Sequence, residues 1–154
     1  MNNQTISQDY ANDIIFELEK AFWDERGKGA RFRVTTVGHE FFKANCLPRL
    51  QSAEIDDMLR VVESALQEKG IVSQVSATRD GRLLRVRIAG CAHRVIEDRL
   101  VAQGTRPFTC VPANLIVLAI EEKLDRPAEL AEIRLEDGAC QVLIVLFDQR
   151  PVLV

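Results

Sequence analysis

Cys46, Cys91, Cys110 and Cys140, with His39 and His93, are the side chains in this sequence best able to bind a metal or act as nucleophiles. The thiolate is the form that does either, so the question is where a thiolate would be favoured. Cys91 is expected to end a strand and open a helix, and Cys110 to precede a helix N-terminus. There the positive end of the helix dipole and free backbone N–H groups favour the charged sulfur. Cys140 is expected to start the last strand. His93, two residues after Cys91, can add a nitrogen ligand. Sulfur ligands from Cys91, Cys110 and Cys140 with a histidine suit zinc or an iron–sulfur cluster. The competing account is packing, because free cysteine is among the most buried residue types and behaves as a small hydrophobe. The cysteines are widely spaced with no C-x-x-C, so spacing alone favours packing. Cys46 has no partner in this scheme and reads as structural.

The elements that must position these residues follow from periodicity and punctuation. Ser7 is a good N-cap for a helix running to about Arg26, with Tyr10, Ile14, Leu18 and Phe22 at i, i+4 spacing. Ile15 and Trp23 widen that stripe, which is expected to be core or dimer contact. A weaker helix is expected around 38–44, ended by Leu47-Pro48. Ser52 is expected to cap a helix over 53–69 that buries Ile55, Met58, Leu59, Val62 and Leu66, with Gly70 at its end. Strands over 71–78 and 82–89 flank an Asp80-Gly81 turn. Leu84, Val86 and Ile88 share one face of the second strand, and Arg85 and Arg87 the other.

A helix over 92–103 should turn Val95, Ile96 and Leu100 inward. Pro112 suits the first turn of the next helix, which is apolar almost all round from Leu115 to Ile120 and should be buried. Strands over 129–135 and 139–147 flank Asp137-Gly138. The last strand is apolar on both faces, so it is either central in the sheet with both faces covered or part of a subunit contact, and with the apolar tail at 151–154 it points to a dimer. If it lies antiparallel beside 82–89, Cys140 meets Cys91, and the connecting helix brings Cys110 to them. The two Asp-Gly turns, and Glu68-Lys69 echoed by Glu122-Lys123, hint at a pseudo-repeat. The fold class is α+β: a four-stranded, mostly antiparallel sheet of two hairpins packed with helices.

With 154 residues, the chain fits one compact domain, read as an N-terminal helical extension (1–52) followed by an α+β unit (53–154). Apolar residues are 47% and charged residues 28%, an ordinary globular mix that can fold without metal or disulfide staples. The formal net charge of −3 argues against direct nucleic acid binding as the main task. No basic, then apolar, leader opens the chain, so no secretory signal is expected. The Leu115–Ile120 run is far below the ~20 residues of a membrane span. A cytoplasmic protein with reduced thiols is expected, in which an even number of cysteines is no sign of disulfides.

The stretch from Met58 to Cys91, followed by Arg106 to Ile144, resembles a bacterial and archaeal regulatory domain. It is similar to the cysteine-containing C-terminal half of winged-helix regulators related to the iron–sulfur repressor of the Suf system, and to the methanogen output domain. The shared features are a helix, a DG hairpin ending in Cys91, Cys110 ahead of a Leu-rich helix, and a last hairpin with Gly138-Ala139-Cys140. The resemblance covers roughly residues 53–147. It implies a sensor domain that works as a dimer beside a DNA-binding partner domain, with Cys91, Cys110 and Cys140 as candidate ligands of a cluster or metal. Residues 1–52 do not read as the DNA-binding half, since no basic recognition helix is followed by a β-wing.

Other clusters have plainer accounts. Arg26, Lys28, Arg31 and Arg33 beside Gly27 and Gly29 read as a solvated loop, without a phosphate-loop pattern. His39 and Glu40 read as surface residues, and Asp80 and Asp137 as turn residues. The leading expectation is a non-enzymatic sensor or accessory domain. It would bind a metal, an iron–sulfur cluster or a small ligand at a pole formed by Cys91, His93, Cys110 and Cys140, as a homodimer with a possible regulatory protein partner. One alternative is a small-molecule module with a closed apolar pocket lined by helix 115–120 and the first aromatic helix, its cysteines packed apart. The other is an enzyme with Cys91 or Cys110 as nucleophile and His93 as base.

Overall fold

Two hairpins supply all four strands. The computed structural model describes residues 5–148. β1 (Gln74–Asp80) and β2 (Leu83–Ala89) form the first hairpin, and β3 (Ala128–Glu136) and β4 (Ala139–Leu146) the second. The second turns at Asp137-Gly138, where Gly138 takes the positive φ of 73° that the tight loop needs. The first turns at Gly81-Arg82, one residue later than expected, because Asp80 pairs with Leu83 and stays in the ladder. The hairpins join through β2 and β4, so the sheet order is β1-β2-β4-β3 and every pairing is antiparallel. The fold is α+β.

Helices cover one face of this sheet. α3 (Ile55–Glu68) and α5 (Val111–Leu124) pack on each other and on the strands. The expected α3 stripe of Ile55, Met58, Leu59, Val62 and Leu66 is buried throughout. It meets Leu84, Val86 and Ile88 of β2 and Val142, Ile144 and Leu146 of β4. Arg85 and Arg87 face away from this core, as alternation requires. α5 buries Ala113, Leu115, Ile116, Ala119 and Ile120 in the same core. α3 starts at Ile55 rather than Ala53, since the Ser52 hydroxyl accepts the Glu54 N–H in a local turn instead of capping the helix. β1 starts at Gln74 rather than Ile71. The Gly70 and Ile71 N–H groups close α3 by donating to the Gln67 and Leu66 carbonyls.

The N-terminal half packs in two places. α2 (His39–Asn45) places Phe42 in the main core, together with Cys46 and Leu50. Asn114 of α5 is buried and donates from Nδ2 to the Val34 and Val37 carbonyls, at 3.0 Å each, anchoring the loop before α2. α1 (Gln8–Arg26) is capped by the Ser7 side chain and packs on α4 (Arg94–Ala102). Their contact is a smaller cluster of Phe16, Ile96, Leu100 and Phe108, with Trp23 against the Phe108 ring at 5.5 Å.

Two stripes differ from a wholly inward reading; for α1 this removes the core alternative and leaves the dimer contact. Tyr10, Ile14 and Leu18 are 60%, 40% and 65% exposed, and Phe16 is the residue of α1 that is buried. The helix turns Phe16, Glu19 and Trp23 toward α4 instead, because the aromatic rings find Phe108 there. At 1.5 Å per residue, α1 is also roughly twice the ~14 Å length of α4, so its first turns overhang. On α4, Val95 is exposed and Glu97 is buried. Both lie about 100° from Ile96, on opposite sides, and α1 covers the Glu97 side. The last strand is central in the sheet, but among the described residues helices cover only its inner face, so the expected cover on both faces is found in part. Its outer-face residues Leu143 and Val145 are half-buried between flanking strands. The expected dimer contact through 151–154 lies outside the described residues.

Candidate functional site

The β2–β4 ladder brings the cysteines to one pole of the sheet. Ile88 is paired with Cys140 and Ala89 with Ala139, so β2 ends beside the start of β4. Gly90 then turns the chain at φ +64°, and a side chain there would meet the Ser73 hydroxyl at 2.1 Å. Cys91 follows, with the Ala92 N–H held by the Ile71 carbonyl. Arg94 fixes the first turn of α4 to β4 by donating to the Ala139 carbonyl at 2.7 Å and to Asp98 at 2.8 Å. Cys110 is the N-cap residue of α5, whose first turn contains Pro112. All four predicted site residues, Cys91, His93, Cys110 and Cys140, line one cavity of about 540 Å³.

That cavity lies between the cysteine pole and α1. Ile15, Leu18, Glu19 and Phe22 of α1 form one wall, and Val34 and Val37 extend it. Phe108, Thr109 and Val111 close it from the α5 side, with Glu97 from α4. The exposure of Leu18 puts that residue at a solvent-facing rim, so the cavity is a cleft rather than a sealed void. The expected lining by 115–120 is not found. Leu115, Ile116 and Ile120 lie in the main core, and α5 contributes its N-terminal end. Nor do the cysteines pack apart, except Cys46, which is fully buried in that core.

The thiols do not behave as helix N-terminal thiolates. The backbone N–H groups of His93 and Arg94 near Cys91, and of Ala113 near Cys110, favour the charged sulfur, although Cys110 makes no capping hydrogen bond. Burial outweighs these donors and pushes both thiols above the ordinary cysteine range. Burial also raises Cys140, partly offset by the Arg94 guanidinium. His93 is pushed down by burial and is neutral at pH 7. The expectation of favoured thiolates is therefore corrected. A cysteine nucleophile would have neither a lowered thiol pKa nor a charged histidine beside it. Among the described residues, no three His, Cys, Asp or Glu side chains form a group that could hold a metal ion. The cysteines are all free thiols.

The polar groups of the cleft were not anticipated from sequence. Glu97 is only 7% exposed, and burial pushes its carboxyl up to about 8, with Glu19 adding repulsion. Glu19 is itself raised to about 7 by burial. Glu97 Oε2 and Thr109 Oγ1 are buried oxygens without a hydrogen-bond partner among the described residues. A helical wheel carries the missing signal: turning both Ile96 and Leu100 inward brings the adjacent His93–Glu97 row to the edge of the buried face. No helix among the described residues is long and apolar enough to cross a membrane. Compared with protein-family models, curated proteins and solved structures, the chain finds no match in any of the three.

Proposed function

We propose that this chain is a non-enzymatic small-molecule-binding module of the sensor or accessory type, with the cleft between α1 and the cysteine pole as its site. The observation that carries the reading is the cleft itself. Its volume of about 540 Å³ is in the range of small-ligand pockets, its walls are chiefly apolar, and a few polar groups converge on it. Glu97 and Thr109 of the cleft wall each bury an unpartnered oxygen, a cost that a ligand can offset by drawing the side chain toward the cleft. Titration with the neutral fluorophore N-phenyl-1-naphthylamine tests this. The expected result is saturable fluorescence enhancement at one site per chain. Leu18→Trp fills the rim at an exposed position, so it should weaken binding at least tenfold while leaving thermal stability unchanged. Absence of saturable binding, or unchanged affinity in a folded Leu18→Trp protein, would overturn the reading.

A second reading is zinc or an iron–sulfur cluster at the same wall. It is supported by the convergence of Cys91, Cys110, Cys140 and His93 on one cleft. Because burial keeps these thiols protonated, metal binding would have to release protons and would tighten steeply with pH. A colourless, metal-free protein after anaerobic purification, with no zinc retained in dialysis at pH 8, would exclude it. The proposal carries a cytoplasmic location, where the thiols stay reduced, and a homodimer with a regulatory protein as partner. The exposed Tyr10, Ile14 and Leu18 of α1 supply an apolar surface for a second copy. A monomer by light scattering at high micromolar concentration would remove the dimer.

A further inference from the structure

Glu97 and Glu19 bring two carboxyl groups from facing helices to the same apolar cavity. Every other titratable group on its wall is a thiol, a histidine or an arginine. His93 is buried and neutral, and the Cys91, Cys110 and Cys140 thiols are uncharged at pH 7. Arg94 is the cation of the wall, and its guanidinium is already committed to Asp98 and the Ala139 carbonyl. The cation of the cleft wall is thus already paired with a carboxylate before any ligand enters. The wall also has an unpartnered, nine-tenths buried carboxyl oxygen, beside a second carboxyl that is itself mostly desolvated.

We propose that the cleft selects lipophilic amines, an ammonium group held between Glu97 and Glu19 with an apolar body against Phe22, Phe108 and Val37. An ammonium supplies several N–H donors and a positive charge; it satisfies the unpartnered oxygen and favours the carboxylate form of Glu97, which the empty cleft holds uncharged at pH 7, so binding releases the Glu97 proton to solvent. The Phe22 and Phe108 rings, with centroids 6.4 Å apart, offer faces that attract a cation and edges that pack an alkyl or aryl body. A carboxylate ligand would add a third acidic group beside Glu97 and Glu19, with only Arg94, already paired with Asp98, as counter-charge. A neutral alcohol would fill the same space but gain only one ordinary hydrogen bond.

This inference rests on the cleft being a ligand site, and the test separates the two claims. Octylamine, octanol and octanoate share one chain and differ in the head group. Each is titrated against bound N-phenyl-1-naphthylamine at pH 7. Octylamine is expected to displace the fluorophore at a concentration at least tenfold lower than the other two. Glu97→Gln should abolish that preference, so that octylamine and octanol displace the fluorophore at concentrations within threefold of each other, and Glu19→Gln should reduce it. Equal displacement by octanol, or better displacement by octanoate, would overturn the amine inference and leave the pocket standing. An unchanged preference in Glu97→Gln would also overturn it. Failure of the fluorophore to bind the wild-type protein would overturn both.

Discussion

Glu97 is held uncharged at neutral pH by its surroundings rather than by a bond. Its carboxyl is pushed from an ordinary value of 4.5 to about 8, chiefly by burial. In the unfolded chain it titrates near the ordinary value. Between those two pH values the native state keeps a proton that the unfolded state has lost, so stability falls as pH rises. The loss is complete above about pH 8. A shift of this size corresponds to at most about 5 kcal/mol, and the neighbouring solvent-facing rim makes a few kcal/mol the reasonable expectation. Glu19 adds in the same direction over a narrower window, ending near pH 7. His93 acts oppositely, because its lowered pKa gives stability that is lost as pH falls. The comparison of variants isolates Glu97. Urea unfolding of Glu97→Gln should show a flatter decline between pH 5 and 8 than the wild type, the two curves diverging by a few kcal/mol. Parallel curves would mean that Glu97 is solvated in solution. The sequence reading passed over this residue because charge argues for exposure; the helical wheel brings it only to the edge of the buried face, and α1, far away in the chain, completes its burial.

At the level of elements, the hairpins and α3 were legible because their signals are local. Alternation over Leu84, Val86 and Ile88 and the α3 stripe both survive unchanged in the structure. The convergence of Cys91 and Cys140 was also legible, since it followed once β4 was set antiparallel beside β2. The α1 face was not. Its i, i+4 apolar row is real, but the partner, α4, is short and the aromatic residues decide the contact. How the N-terminal segment joins the core depends on Asn114, which in sequence is one polar residue inside an apolar helix. Its amide supplies two carbonyls of the 34–37 loop, and Val34 and Val37 of that loop also line the cleft. Asn114→Ala removes both donors; the Val34 carbonyl keeps the Val37 N–H, whereas the part-buried Val37 carbonyl loses its side-chain partner. A cost of roughly 2–3 kcal/mol is expected, together with weaker fluorophore binding. A loss under about 0.5 kcal/mol by urea titration would show that the loop is held by apolar contacts alone.

Across the whole molecule, apolar packing is unevenly divided. The main core joins α2, α3, α5 and the inner face of the sheet, whereas α1 meets the rest through the smaller cluster around Phe16, Ile96, Leu100 and Phe108. Opening α1 therefore exposes far less apolar surface than separating β2 from β4, and surface exposed sets the free energy of opening. The cleft lies in this seam, with α1 as one wall. Sub-global opening of α1 should accordingly be detectable in the native state. Amides of α1 should exchange through an opening at least about 2 kcal/mol below the global unfolding free energy, while those of β2 and β4 exchange at the global limit. Trp23, the single tryptophan, packs against Phe108 in that seam, so its fluorescence should change at lower urea than the far-ultraviolet signal. A ligand bound between α1 and the cysteine pole at 100 times its Kd should slow α1 exchange by up to about 100-fold, since that opening destroys the site. Coincident urea transitions, with α1 protected as strongly as β2, would mean that the two clusters unfold as one. The cleft would then be a fixed cavity entered only at its rim, and ligand would slow exchange of α1 and the sheet alike.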